Sequence, residues 1–165
     1  MDLNVNTTIS LGSPVTVPCL IPIEHKATPT CIDSPFLVDG KYYKVTAMSF
    51  GSPHGVVIVD DIETTDVLTI GSSLGNHKLF PKGANIVFIQ ILNKETIKAK
   101  LWQNNESEIK YTPEAVCVAG TAAMMLQKIL TNKVNVIMNG NTFQVNWNRS
   151  ENDVSYVGKG ENQCK

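Results

Sequence analysis

Up to Thr112 the apolar and polar positions follow the short periods of strands, and at Thr112 the periodicity changes before strand patterns return at Val134. Phe36 to Val38 and Tyr42 to Met48 flank Asp39-Gly40, a pair that tolerates the positive φ of a tight reversal, so the pattern predicts a hairpin. Val134 to Met138 and Thr142 to Trp147 flank Asn139-Gly140 in the same way and predict a second one. Val56-Val57-Ile58-Val59, running into Asp60-Asp61, and Ile86 to Leu92 are unbroken apolar runs of the kind that form buried strands. Ile97 to Trp102 alternates with Lys98 and Lys100, which predicts a strand with one wet face, and Val154 to Val157 is a last short strand. Upstream, Pro14, Pro18 and Pro22 punctuate Val15, Val17, Leu20 and Ile21, so Pro14 to Ile23 suits an edge strand or an irregular ribbon.

Two segments read as helices. Thr65 to Leu74 is a short one, capped by Thr65 or Asp66 and weakened by Gly71. In the other, Thr112 can cap, Pro113 can take the first helical position and Glu114 falls in the first turn. Its body, Ala115 to Leu130, is apolar on nearly every side until Gln127 and Lys128, and Asn132 ends it. A helix without a polar stripe belongs inside the protein, here with sheet wrapped around it. Asn76 to Asn85, carrying Pro81 and Gly83, and Gln103 to Lys110 read as loops. Many strands with few helices favour an α+β fold, and residues 1–165 read as a single domain.

Composition narrows the functions open to such a domain. With 42% apolar and 18% charged residues the chain can bury a core instead of remaining disordered. A net charge of -1 provides no field to gather phosphates, so nucleic acid is not an expected partner. The longest apolar stretch, Ala115 to Leu126, is interrupted by Gly120 and Thr121 and is too short to span a bilayer, so no membrane partner is expected either. Met1-Asp2-Leu3-Asn4-Val5-Asn6 lacks the basic start and apolar run of a signal peptide, which favours a cytoplasmic location. Cys19, Cys31, Cys117 and Cys164 form no CxxC pair, so neither a zinc site nor a thioredoxin-like site is indicated and reduced thiols are expected.

The strongest chemical candidate is Cys117. Unpaired N–H groups at a helix start favour a thiolate and can also bind a carboxylate. Gly120 would allow close backbone approach there, and Thr121 would cap a helix that began at that point instead of at Pro113. The competing reading is an ordinary apolar cysteine between Val116 and Val118. His54 follows Pro53 beside a core strand, where it could bond a ligand carboxylate or anchor a loop; His77 is the weaker histidine. Asn76 and Asn85 flank the Phe80-Pro81 turn, and either could present a donor and an acceptor to an amino acid or simply shape the turn. HExxH, EF-hand, P-loop and dinucleotide motifs are absent from the sequence. Gly71-Ser72-Ser73-Leu74-Gly75 lacks a phosphate-binding lysine, and Asp60, Asp61, Glu63 and Asp66 read as a hydrated face.

Several motifs then fall into one order: Met48-Ser49-Phe50-Gly51-Ser52-Pro53-His54-Gly55-Val56 before Val59-Asp60-Asp61, Asn76-His77-Lys78-Leu79-Phe80-Pro81 before Asn85-Ile86-Val87-Phe88, Trp102, and the segment around Cys117. In this order the chain resembles the C-terminal half of the diaminopimelate epimerase family of cofactor-independent amino-acid racemases. The resemblance implies a curved, mostly antiparallel sheet around a buried central helix, and an isomerase of amino-acid metabolism and lysine biosynthesis. It also implies two facing domains, each giving one cysteine, which invert the α-carbon of a free amino acid without pyridoxal phosphate, other cofactor or metal. On this resemblance Cys117 is the catalytic acid or base, and Asn85, Ser52, Gly120, Thr121 and His54 are substrate-binding positions.

The chain departs from that pattern at identifiable places. The family has asparagine before Pro-His and cysteine after it, where this chain has Ser52 and Gly55. Gly-Thr-Gly after the catalytic cysteine becomes Val118-Ala119-Gly120, and Glu-Arg after the tryptophan becomes Gln103-Asn104. Neither Cys19 nor Cys31 sits in a motif like that of the partner cysteine. The expectation is therefore a domain that is incomplete or degenerate on its own. It would be completed by an N-terminal domain in trans or by homodimerisation, or it would survive as a non-catalytic binding or interaction domain on the same scaffold.

Overall fold

The computed structural model describes residues 8–23, 30–103 and 111–158. The strands, in chain order, are β1 (Thr8–Gly12), β2 (Ser34–Val38), β3 (Lys41–Ser49), β4 (Pro53–Ile58), β5 (Asn85–Ile91), β6 (Thr96–Trp102), β7 (Lys133–Met138), β8 (Asn141–Asn148) and β9 (Asp153–Gly158). Helix α1 (Val67–Gly75) joins β4 to β5, and helix α2 (Pro113–Met125) joins β6 to β7. The nine strands form one sheet in the order β1-β9-β8-β7-β6-β5-β4-β3-β2. Neighbours are antiparallel except β4/β5 and β6/β7, the two pairs whose connections carry the helices. Beyond β1, Val15 and Ser49 exchange two backbone hydrogen bonds of 2.9 Å, which ties the β1 side of the sheet to β3. That bridge draws the sheet into a curve around α2, which touches every strand from β3 to β9. The expected α+β architecture, with a curved and mostly antiparallel sheet around a buried helix, is the one observed.

The sheet separates two cores. Val56, Val87 and Ile89 face inward with α2, whereas Val57, Ile86 and Phe88 face outward with α1. Strands β4 and β5 are covered on both faces, which is why their sequences are unbroken apolar runs. In β6, Ile97 and Ala99 face α2, while Lys98 and Lys100 reach Glu63 at 2.7 and 3.6 Å on the outer face.

Asp66, one of the two expected caps, begins α1 by accepting the Thr69 N–H at 3.2 Å. Gly71 costs helix propensity but is required by packing, because a Cβ there would lie 2.5 Å from Cγ of Trp102. Thr112 begins α2, its hydroxyl accepting the Ala115 N–H at 3.0 Å, with Pro113 as the first helical residue. Thr121 therefore lies inside the helix and does not cap it. The helix ends at Met125, short of the expected Leu130. Gln127 takes φ of 61°, and the Lys128 and Gln127 N–H groups donate to Ala123 and Met124 carbonyls at 2.9 and 3.0 Å, a Schellman ending with glutamine where glycine is usual.

Both expected hairpins are present, with positive φ at Asp39, Gly40, Asn139 and Gly140. One difference concerns the N-terminal part: strand β1 pairs with β9 although its residues gave no apolar signal. Of the two alternatives for the proline-punctuated stretch the irregular ribbon is the one observed, contributing the Val15 bridge and a 3-10 turn, Pro18–Leu20. The loop expected over 104–110, the side chain of Cys19, and Cys164 lie outside the described residues.

Candidate functional site

Three neighbouring strands align a polar row. Met48 stands opposite His54, His54 opposite Asn85, and Ile86 opposite Trp102, which places Gln103 next in line with Asn85. Cross-strand partners share a face, and Met48, Val56 and Val87 belong to the core around α2, so the row faces inward. The first turn of α2 comes beside it, close enough for the Glu114 carboxylate to act on His54.

His54 is 1% exposed. Its Nδ1 lies 2.9 Å from the Ser52 carbonyl oxygen, which can only accept, so Nδ1 carries the proton and Nε2 is an acceptor. Nε2 is buried without a partner among the described residues. Burial holds the imidazole pKa below its ordinary value, against the opposing pull of the Ser52 carbonyl and the Glu114 charge. Ser52 is half-buried and contributes its backbone carbonyl to this arrangement. Asn85, also half-buried, opens β5.

Cys117 sits in the second turn of α2, fully buried and free of any disulfide. The amides of the helix start are engaged one turn earlier, where Thr112 takes the Ala115 N–H on its hydroxyl and the Val116 N–H on its carbonyl, each at 3.0 Å. Burial, reinforced by the Glu114 and Asp153 charges, pushes the thiol up to about 12. A helix dipole offers a thiolate about 1 kcal/mol, whereas a rise from 9.0 to about 12 opposes it by about 4 kcal/mol, so desolvation wins and the sulfur is held as a thiol.

Gly120 and Thr121 lie farther along the same helix. A Cβ on Gly120 would stand 2.8 Å from Val145, so this glycine sets the close approach of α2 to β8. Thr121 is buried, and its hydroxyl lacks a partner among the described residues. The structure thus gathers Ser52, His54 and Asn85 at one end of the inner face. It sets Cys117 within reach of the Glu114 charge, and Gly120 and Thr121 against the sheet beyond. His77 and Asn76 belong to the outer side. His77 donates from Nε2 to the Leu37 carbonyl at 3.1 Å and accepts the Leu79 N–H at 3.1 Å, while the Asn76 side chain donates to the Ser72 carbonyl at 3.0 Å.

Other residues at this end carried little sequence signal. Tyr156 is raised above the ordinary tyrosine value by burial, then by Cys117, Tyr111 and Glu114, so these groups are neighbours. Its ring lies 6.0 Å edge-on from Phe143, which lies 5.0 Å from Tyr111. Alternation from buried Val154 to Tyr156 would have marked Tyr156 as inward-facing.

Comparison with known proteins fits this architecture. Residues 46–164 match the family model described as diaminopimelate epimerase. A diaminopimelate epimerase of Geobacillus sp. (strain WCH70) is 31% identical over 160 residues, covering 96% of this chain and 56% of the relative. Those of Leptospira biflexa and Brachyspira hyodysenteriae are 32% and 34% identical, covering 85% and 79% of this chain but 50% and 48% of the relatives. The chain spans about half the length of the curated relatives it matches. Over that span, and with its sheet curved around a cysteine-bearing helix, the chain belongs to the diaminopimelate epimerase family.

Proposed function

We propose that this chain is the C-terminal half of a two-cysteine, cofactor-independent amino-acid epimerase of the cytoplasm, and that it does not turn over alone. The observation that carries the reading is the buried Cys117 on α2, with Glu114, Asp153 and Tyr156 close enough to act electrostatically with it, in a scaffold of the epimerase family. Such a thiol can deliver a proton to one face of a substrate carbanion, and a second domain would supply the base on the other face. Asn85 and Ser52 would contact the amino acid, with Gly120 and Thr121 acting through the seating of α2. The test is exchange of the α-proton of free amino acids, diaminopimelate included, in deuterated water. The chain alone should give none. Mixing with the separately produced N-terminal half of a relative should give exchange that Cys117→Ser abolishes. No exchange in any mixture would overturn the reading.

A second reading, a binding domain without turnover, has one observation in its favour. Val118, Ala119 and Gly120 continue the helix that begins at Pro113, and Gly120 is committed to Val145, so no glycine-rich turn follows the cysteine. Absence of exchange together with saturable binding of a small molecule at this end would favour that alternative.

A further inference from the structure

The chain has one arginine, Arg149, in the turn from β8 to β9, and its guanidinium is held in place without being paired. Its central carbon lies 3.8 Å from the centroid of the Trp147 ring. The indole is itself fixed, because its Nε1–H donates to Oδ1 of Asn152 at 3.0 Å. Among the described residues no carboxylate pairs with Arg149 and no hydrogen bond engages its side chain. Stacking on a ring orders a guanidinium while leaving its in-plane fork of N–H groups free, and that fork matches a carboxylate.

The fork borders a cavity of about 340 Å³ at the C-terminal end of α2, whose walls include Ile32, Met125, Gln127, Ile129 and Leu130. Leu130 is 85% exposed and Ile32 40%, so apolar side chains stand open beside the charge. Gln127 holds φ of 61°, a conformation that glycine adopts without strain. A side chain kept where glycine would be more stable points to a use other than folding, and this one lines the same cavity as Arg149. The negative end of α2 is blunted there, since the carbonyls of Ala122, Ala123 and Met124 already accept from the N–H groups of Leu126, Lys128 and Gln127.

We propose that this cavity binds a small aliphatic carboxylate, whose oxygens accept from the Arg149 fork and the Gln127 side-chain amide while its chain lies against Ile32, Met125, Ile129 and Leu130. The site is at the far end of α2 from Cys117 and draws on none of the residues placed around the sulfur. It is therefore defined whether or not the chain takes part in epimerisation.

The experiment uses the chain's two tryptophans. Trp102 packs beneath α1 and Trp147 carries Arg149, so the two indole N–H resonances of nitrogen-15-labelled protein compare the site with a distant reference in one sample. Octanoate, below its micellar concentration, should shift the Trp147 indole saturably and leave that of Trp102 in place. Octylammonium should do nothing, and acetate, which has the carboxylate without the chain, should bind at least about tenfold more weakly. Arg149→Gln, at an exposed position, should weaken octanoate about tenfold, and Arg149→Lys should not restore it because an ammonium lacks the fork. Gln127→Gly separates binding from folding: it should raise the urea midpoint by removing the left-handed side chain and yet weaken octanoate. A Trp147 indole that ignores octanoate overturns the proposal; so does an equal response to octylammonium, or full affinity in either Arg149→Gln or Gln127→Gly. Binding is read on the chain alone without turnover, so this result and the exchange assay fail independently.

Discussion

The two cores each bury one cysteine and enclose or flank one histidine, and they treat them differently. In the outer core Cys31 donates to the Val45 carbonyl at 3.6 Å, and at its edge His77 has a partner on each ring nitrogen. In the inner core Cys117 is buried within the field of Glu114 and Asp153, and His54 satisfies one nitrogen only. Burial raises both thiols, yet hydrogen bonds from Ser34 and the Ala47 backbone oppose the rise at Cys31, while carboxylates add to it at Cys117. Thr121, also unpartnered, lies on the inner side too. The outer core is electrostatically finished and holds the fold together. The inner core keeps unanswered polar atoms at a cost in stability, the usual mark of a surface shaped for something other than stability.

The largest effect that would test this contrast is in thiol chemistry. A shift from 9.0 to about 12 lowers the thiolate fraction of Cys117 about a thousandfold, so native alkylation by iodoacetamide should be slower than in urea by at least that factor. Glu114→Gln should speed native labelling of Cys117 and leave Cys31 unchanged, as peptide mass spectrometry would read. Equal acceleration at both cysteines would remove the distinction between the cores. Next in size is Phe88→Ala, which empties a fully buried outer position and should cost about 4 kcal/mol in urea unfolding.

Local features of this division were legible in the residues, and long-range ones were not. Asp39-Gly40 and Asn139-Gly140 state their turns because few other pairs accept two positive φ values, and Thr112-Pro113-Glu114 states a helix start through capping chemistry. Strand β1 stayed hidden because its pairing with β9 joins the two ends of the chain and its side chains are mainly exposed. The end of α2 was missed because Gln127 occupies a left-handed position that normally announces itself as glycine. Gly71 read as a defect until Trp102, brought over by β6, supplied the reason for it. At the site, Cys117, His54, Asn85 and Ser52 were named from their motifs. The depth of the sulfur and the orphaned Nε2 depend on strands distant in sequence closing around α2, which no local pattern encodes.

Acidification should also separate the cores. The pKa of His54 is lowered in the folded protein, so between that value and 6.5 the unfolded chain binds a proton that the folded one refuses. Its contribution is complete above 6.5 and is lost as the pH falls toward the folded value. Urea midpoints measured above and below 6.5 should therefore decline on the acid side, and His54→Gln should flatten that decline. A slope unchanged in the variant would assign the acid sensitivity to other groups.

The smallest expected effect has the opposite sign. Thr121 is enclosed in the inner core with an unbonded hydroxyl, and valine has nearly its shape without the polar atom. Replacing a buried, unpaired hydroxyl by a methyl group removes a desolvation penalty and leaves no cavity, so Thr121→Val should raise stability by about 1 kcal/mol. A partnered control is Thr46, equally buried but accepting the Asp33 N–H at 3.0 Å, where Thr46→Val should instead destabilise because it strands that donor. Opposite signs in chemical denaturation would show that the Thr121 hydroxyl is left unanswered where that of Thr46 is not. If both substitutions destabilise, Thr121 has a donor or acceptor to answer to, and the inner surface is more complete than its His54 suggests.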